Sequence, residues 1–194
     1  MNTEKTDESE LIEKLIRGDE KAFKGLFDLY KTKVYNTAAG FLINENDAED
    51  ITQEVFIQVF KSIKHFKEKS QLSTWIYRIT VTKCLDMLRK KKAKRRFAFI
   101  TDIFEKEDKE SKESFVNYDH PGVETDKKEL SAILFKEIDN LPENQRIAFI
   151  LNKVEQLSYR EISGIMDTSV PAVESLISRA KANLKKRLEK YYRN

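Results

Sequence analysis

The stretch SYREISGIMDTSVPAVESLISRAK, residues 158–181, decides the fold of the C-terminal half of this chain. Ser158 is suited to cap a short amphipathic helix that ends near Met166, and Pro171 is suited to the first turn of a second helix. Between them the sequence predicts a tight turn at 167–169. Two such helices are typical of a helix-turn-helix, in which the small residues Ser163 and Gly164 would let the second helix cross close to the first.

Helical spacing of apolar residues continues through most of the chain on either side of this stretch. Before residue 97 it predicts four amphipathic helices; the second is capped by Asp19, the third begins within 44–47, and the fourth begins near Ser73. The first proline is Pro121, so none interrupts these helices. The predicted fold class is all-α, with two small helical domains joined by a flexible linker.

Charge sets the predicted domain boundaries. From Lys83 to Arg96 there are eight basic residues and one acidic residue, net +7, whereas 101–129 holds ten acidic and five basic residues. We therefore predict a first domain at 1–96, an acidic linker at 97–128 and a second domain at 129–194. Aromatic residues at the start of the linker suggest that it extends the fourth helix. Fully extended, its 32 residues reach about 105 Å, enough to span two groove sites.

Composition excludes several function classes. One cysteine and two widely separated histidines cannot build a disulfide or a Cys-rich zinc site. No apolar run approaches the ~18 residues that would span a bilayer. We expect a cytoplasmic protein with no metal, no cofactor, no small-molecule substrate and no membrane insertion. The +7 segment predicts an anionic partner instead, bound with a steep dependence on salt.

An acidic cluster offers the main chemical alternative. Asp47, Asp50 and Glu54 share one face of the predicted third helix. Such a face could bind Mg²⁺, as in all-α nucleotide pyrophosphohydrolases, but these need a second acidic helix, which the sequence does not offer convincingly. The acidic residues could also simply interact favourably with the dipole at the N-terminus of the helix, or the face could dock on a basic partner helix.

Several stretches carry a family likeness: 18–23, 47–56, 73–79, 141–146, 159–162 and 173–181. Taken together, they resemble the ECF (extracytoplasmic function) group of bacterial sigma factors over nearly the whole chain. The resemblance implies a non-enzymatic protein with two domains, called region 2 and region 4. Region 2 would bind core RNA polymerase and open the −10 element of promoter DNA, and region 4 would bind the −35 element. An anti-sigma factor is a further partner that the resemblance allows.

The resemblance also implies site residues in the first domain. The loop from His65 to Thr74 would receive a flipped −10 base, while Trp75 and Cys84 are expected in the core. Thr82 stands where asparagine is usual, which puts the −10 preference in doubt. Polymerase docking is expected at Asp47, Glu49, Asp50, Gln53, Glu54 and Phe56, and −10 DNA contacts at Lys83, Arg89, Lys90, Lys91 and Arg95.

In the second domain the N-terminal part of the last helix would enter the major groove. Arg179 could pair with guanine and Glu174 with cytosine, while Arg160 and Lys181 are better placed for phosphates. The segment 171–176 lacks two cations of the commoner family pattern, which predicts a variant −35 preference. The expected −35 contacts are Arg160, Pro171, Ala172, Glu174, Ser175, Ser178, Arg179 and Lys181.

Rival interpretations belong to other classes of protein. A helix-turn-helix regulator could bind DNA without polymerase, and would need a dimer face and symmetric half-sites. A pyrophosphohydrolase would show Mg²⁺-dependent nucleotide hydrolysis. In a helical adaptor protein, the +7 segment would have no function.

Overall fold

The structure is a computed structural model that describes residues 3–42, 44–105 and 125–192, with side chains described at 8–42, 44–94, 132–189 and 191. Every regular element in these ranges is a helix, so the all-α class is confirmed. A 3₁₀ turn lies at Ile63–His65. The α-helices are α1 (Thr3–Ile16), α2 (Glu20–Leu42), α3 (Glu45–Ser62), α4 (Leu72–Glu105), α5 (Thr125–Asp139), α6 (Glu143–Lys153), α7 (Tyr159–Met166) and α8 (Val170–Tyr192).

The first domain is a bundle in which α2, α3 and α4 pack on one another and α1 packs on α2. Its helices begin where the sequence predicts. Gly18 takes the left-handed conformation between α1 and α2, and the Asp19 carboxylate accepts a hydrogen bond from the backbone N–H of Ala22 at 3.0 Å. Asn44 caps α3 in the same way by accepting from the N–H of Asp47 at 3.0 Å.

The second domain packs α5, α6 and α7 against α8. Ser158 and Glu161 form a reciprocal capping box at the start of α7, and Asp167 ends that helix in the left-handed conformation. The predicted helix-turn-helix is thus present. One detail of the prediction is wrong: a side chain at Gly164 would meet Thr74 of α4 at 3.6 Å, so this glycine faces the first domain and not α8.

The segment predicted as a linker overlaps two helices. α4 runs on to Glu105, which confirms the predicted extension, and α5 begins at Thr125. The rest of the linker, 106–124, lies outside the described residues. Within the described part of the chain, no helix is both long and apolar enough to cross a membrane.

The two domains pack against each other, which the sequence analysis did not predict. α7 lies on α4 and α6 lies on α2, and the buried apolar side chains of both domains belong to one connected core. A side chain on Gly40 would come within 2.9 Å of Ile150 Cγ2, so α2 and α6 approach closely there. The guanidinium of Arg146 on α6 also lies 5.9 Å from the ring centre of Phe41 on α2.

Candidate functional site

One face of α3 is acidic and open to solvent. Glu49, Asp50, Gln53 and Glu54 are all exposed, and Asp47 is half-buried at its edge. Phe56 differs from this set: it is only 4% exposed and its ring packs edge-on against Phe27, 4.7 Å between centres. We therefore place Phe56 in the core beneath the acidic face. The other members of the predicted docking set lie together on one surface.

Three exposed apolar side chains, which the sequence analysis missed, are found on α2 and α3. Ile57 and Phe60 are 52% and 57% exposed, and they continue along α3 from Asp50 at helical spacing. Leu29 on α2 is 59% exposed, and Phe60 also meets Phe23 of α2, with ring centres 5.3 Å apart. The sequence does indicate this exposure for two of them, because Ile57 and Phe60 do not belong to the apolar repeat that forms the buried face of α3.

Two lysines of α4 are paired with acidic residues of α3. Lys83 Nζ lies 3.0 Å from a carboxylate oxygen of Glu54, and Lys91 pairs with Asp47. The acidic face of α3 therefore meets lysines of α4 and not a second acidic helix, which is the opposite of what a two-helix magnesium site requires. Among the described residues no group of three or more His, Cys, Asp and Glu side chains is arranged to bind a metal ion.

Two further cations of the predicted −10 set differ in their surroundings. Arg89 contacts Glu143 of α6 at 2.9 Å and Asp86 of its own helix at 3.4 Å. Lys90 is exposed. The side chain of Arg95 lies outside the described residues. Thr82 is exposed and donates its hydroxyl hydrogen to the carbonyl oxygen of Arg78 at 2.8 Å.

The loop before α4 is fastened to α1. The Glu8 carboxylate accepts a hydrogen bond from the N–H of Leu72, the first residue of α4, at 2.6 Å. Ser9 donates to Glu68 at 3.4 Å, and Glu68 has a positive φ of 52°. At the end of the loop the ring of Trp75 packs on Phe66 with centres 5.0 Å apart, so the tryptophan is a packing residue as expected.

The helix-turn-helix presents its predicted contact residues on one side. Ser169 Oγ accepts from the N–H of Ala172 at 3.3 Å and so caps the first turn of α8. Val173, Ile177 and Ala180 are buried toward the rest of the domain. The predicted −35 residues Pro171, Glu174, Ser178, Arg179, Lys181 and Arg160 are exposed, and Ala172 and Ser175 are half-buried.

A polar contact joins the domains between α4 and the α6–α7 region. Tyr77 donates its phenol hydrogen to Glu155 at 3.0 Å, and Arg78 donates to the carbonyl oxygen of Gly164 at 2.5 and 3.1 Å. Burial raises the pKa of the Glu155 carboxyl, while the hydrogen bond from Tyr77 opposes that shift. Burial also raises the pKa of Tyr77, and the adjacent Glu155 raises it further.

Cys84 lies in the interior of the first domain. Burial raises the pKa of its thiol to about 12, so the thiolate needed for nucleophilic or redox chemistry is scarce at neutral pH. This agrees with the predicted role of Cys84 as a small core residue.

Comparison with known proteins gives consistent matches over both domains. The family model described as Sigma-70 region 2 matches residues 26–94, and that described as Sigma-70, region 4 matches residues 131–184. The ECF RNA polymerase sigma-E factor of Haemophilus influenzae is 35% identical over 187 residues, which cover 95% of this chain and 96% of the relative. The protein of the same name from Escherichia coli K12 is 34% identical over 181 residues, 93% of each chain.

Solved structures share the same fold. CnrH in complex with the cytosolic domain of CnrY matches with a TM-score of 0.67 at 21% identity, over 94% of this chain and 97% of that one. The sigma factor RpoE of Bartonella quintana, in complex with the anti-sigma factor NepR, matches with a TM-score of 0.59 at 21% identity, over 87% and 98% of the two chains.

Proposed function

The chain belongs to the ECF group of the sigma-70 family, and from this premise we propose which residues carry out each step of its work. It is a sigma factor: it binds core RNA polymerase, directs it to promoters through their −10 and −35 elements, and nucleates promoter melting. The observation that carries the residue-level proposal is the separation of two exposed surfaces, an acidic one on α3 and a polar one at the start of α8.

The acidic face of α3 is the proposed polymerase-docking surface. It comprises Asp47, Glu49, Asp50, Gln53 and Glu54. Exposed carboxylates on a rigid helix orient a basic partner and speed encounter more than they add affinity. The affinity would come from burying exposed apolar surface at the centre of the contact, where anchoring side chains dominate. Ile57, Phe60 and Leu29 supply that surface, and we add them to the docking set.

The cations of α4 and the loop 65–74 are the proposed −10 site. Stacking in about ten base-pair steps is worth ~14 kcal/mol at ~1.4 kcal/mol each, whereas flipping one base costs a few kcal/mol. A small domain can therefore nucleate melting but cannot complete it alone, which agrees with a protein that works as a polymerase subunit. Lys83, Arg89, Lys90, Lys91 and Arg95 would contact the backbone.

The pairing of α3 acids with α4 lysines does not prevent either role. The Lys83–Glu54 pair is 31% and 52% exposed at its two side chains, and Lys91 and Asp47 are 43% and 19% exposed. Exposed ion pairs contribute about 0–1 kcal/mol. Partner phosphates and partner basic residues can replace them at small cost, so the two surfaces remain available for binding.

The start of α8 is the proposed −35 reader. Arg179 and Glu174 are exposed on its open side, where they can reach base edges in the major groove. Arg160 and Lys181 would contact phosphates, and the remaining members of the set, Pro171, Ala172, Ser175 and Ser178, would lie against the groove. The domain limits proposed for these roles are 1–96, 97–128 and 129–194.

Three broader parts of the proposal follow from the family. The chain is not an enzyme, which agrees with a family that is not catalytic in general. It acts in the cytoplasm, where it meets the polymerase. Since CnrH is recorded in complex with the cytosolic domain of CnrY, and RpoE with an anti-sigma factor, we propose that an anti-sigma factor also binds this chain.

Run-off transcription tests the proposal. Host core polymerase should give discrete new starts on fragmented host DNA when this chain is added, and the starts should share two upstream elements at fixed spacing. The Asp50→Lys, Glu54→Lys double variant should lose polymerase binding and these starts while still binding −35 duplex DNA. Glu13→Lys is the control, because Glu13 is an exposed acid on α1 and not on α3. Background starts only, with no polymerase complex on a native gel, would favour a polymerase-independent regulator.

A further inference from the structure

We propose that α1 is a positioning element of the −10 site: Glu8 and Ser9 hold the loop before α4 in one shape, and this shape sets how well the loop captures a flipped base. The loop is residues 66–71, between the 3₁₀ turn and α4. The proposal rests on the assignment of base capture to this segment. It adds a role for a helix that lies before the Sigma-70 region 2 match, which starts at residue 26.

α1 contacts the loop at its beginning, its middle and its end. It packs on the 3₁₀ turn Ile63–His65, from which the loop leaves. In the middle of the loop, the Ser9 hydroxyl donates a hydrogen bond to the Glu68 carboxylate at 3.4 Å. At the end, the Glu8 carboxylate accepts a hydrogen bond from the N–H of Leu72 at 2.6 Å. So short a segment, held at three points by one helix, takes its shape from that helix.

The middle contact falls on a strained residue. Glu68 has a φ of 52°, in the left-handed region that side chains other than glycine rarely adopt. Such a conformation persists where the surrounding structure holds it, and it is typical of ligand-binding sites. Glu68 and its neighbours Lys67 and Lys69 are exposed. The loop therefore presents an accessible surface in a shape that a free chain would rarely adopt.

The end contact joins the loop to the core of the domain. Ile12 and Leu15 are 2% and 4% exposed, so α1 is itself anchored by buried apolar side chains. Glu8 also lies near Tyr30 of α2: burial raises the pKa of the Tyr30 phenol, and the negative charge of Glu8 raises it further. The Glu8 carboxylate thus lies where α1, α2 and α4 meet. Its bond to Leu72 is charge-assisted and short, so it is the stronger of the two side-chain attachments.

A loop that is held in advance captures a base better than one that must first become ordered. A flipped base has lost its stacking in the duplex, and the receiving site has to compensate for that loss. When the site is already formed, none of the binding free energy is used to order the loop. Loss of the α1 attachments should therefore weaken the contribution of the captured base, and should leave the backbone contacts of α4 as they are.

Single-stranded probes test this on the holoenzyme formed by the full chain and host core polymerase. One probe is the non-template −10 strand mapped by run-off transcription, and the others each lack one base of that strand. The abasic position that weakens binding most marks the captured base. For the wild-type chain we expect this loss to be about 5- to 150-fold, the range for one base stacked on a protein.

Glu8→Ala should lower this ratio of affinities by about threefold or more, within the range for groups coupled through a shared backbone shift. Its affinity for the abasic strand should not change. Glu8→Gln keeps an acceptor oxygen and should give an intermediate ratio. Ser9→Ala removes an exposed hydroxyl and should lower the ratio by about twofold, as expected for one weak hydrogen bond. Glu10→Ala is the matched control, because Glu10 is an exposed acid of the same helix that pairs with Lys14, and its ratio should equal that of the wild type.

The ratio separates positioning from general stability. A chain that is merely less stable forms less holoenzyme and loses affinity for both probes equally. An equal loss for both probes, or an unchanged ratio in the Glu8→Ala and Ser9→Ala variants, would overturn the inference. If Glu8→Ala does not assemble with core polymerase, Ser9→Ala decides the question alone. If no abasic position weakens binding by the wild-type holoenzyme, base capture by this segment is itself wrong, and the role of α1 falls with it.

Discussion

Replacing Glu8 with alanine should destabilise the start of α4, although Glu8 precedes Leu72 by 64 residues in the sequence. The Glu8 carboxylate accepts a 2.6 Å hydrogen bond from the N–H of Leu72, the first residue of α4. This N–H has no partner within its own helix, because the first four N–H groups of an α-helix point outward. Alanine would leave a partly buried donor unsatisfied and would remove a negative charge from the positive end of the helix dipole.

The size of the effect can be worked out from these two terms. Loss of an N-terminal cap costs about 0.5–2 kcal/mol, and the charge at the helix end adds about 0.3–1 kcal/mol. Together they predict a loss of about 1–3 kcal/mol in the free energy of unfolding. For a chain of this size 1 kcal/mol corresponds to about 2–4 °C in Tm, so the predicted decrease is about 2–12 °C. Glu8→Gln keeps the acceptor oxygen and should lose roughly half as much.

Thermal unfolding followed by circular dichroism measures this difference. Glu10→Ala is the matched control, because Glu10 lies on the same helix, is exposed, and pairs only with Lys14 among the contacts described. Its Tm should change by less than about 2 °C, because an exposed ion pair contributes little to stability. Equal shifts for the Glu8 and Glu10 variants would refute the capping argument. The Glu8→Ala chain should also capture −10 single-stranded DNA more weakly, because the loop 65–74 would lose a point of attachment.

Three other predictions concern the second domain and the charged surfaces. Burial raises the pKa of the Glu155 carboxyl, and the opposing effects of Tyr77 and Lys33 do not cancel that shift. The chain with its two domains in contact therefore binds a proton at Glu155 more tightly than a chain with the domains apart, so the contact should strengthen as pH falls toward that pKa and weaken as pH rises through it. Fluorescence energy transfer between labelled domains should show this dependence, and Glu155→Gln should abolish it. Arg179→Ala should relax the sequence preference at one −35 position, at a cost of about 1–3 kcal/mol measured in a binding selection. Lys181→Ala should instead weaken binding to all DNA sequences equally. A uniform loss of affinity for both variants would make Arg179 a phosphate contact. Promoter affinity should fall with salt at a slope near −4.5 in log K against log[salt] if about five phosphates are neutralised, and a slope near zero would argue against the basic surface of α4.

The helices and their starting points could be predicted because their causes are local. Asp19, Asn44 and Ser158 each accept a hydrogen bond from the N–H three residues ahead, and a side chain of this kind before an apolar repeat is visible in the sequence. The exposed start of α8 was likewise predictable from Pro171 and the buried stripe that follows it. At these places the residues that cause the structure are the same residues that reveal it in the sequence.

The features that escaped prediction are those whose causes lie far apart in sequence. The α4 cap comes from α1, so the residues just before Leu72 carry no sign of it. The family resemblance placed Phe56 on the docking face, yet its position on the helix turns its ring toward Phe27 and the core. Ile57 and Phe60 show the converse, since apolar residues are ordinarily expected inside and these two are exposed.

The contact between the domains is the feature least accessible to sequence reasoning. One of its main acceptors is the backbone carbonyl of Gly164, which every residue type would offer. The close approach of α2 to Ile150 depends on the absence of a side chain at Gly40. Neither leaves a pattern in the sequence.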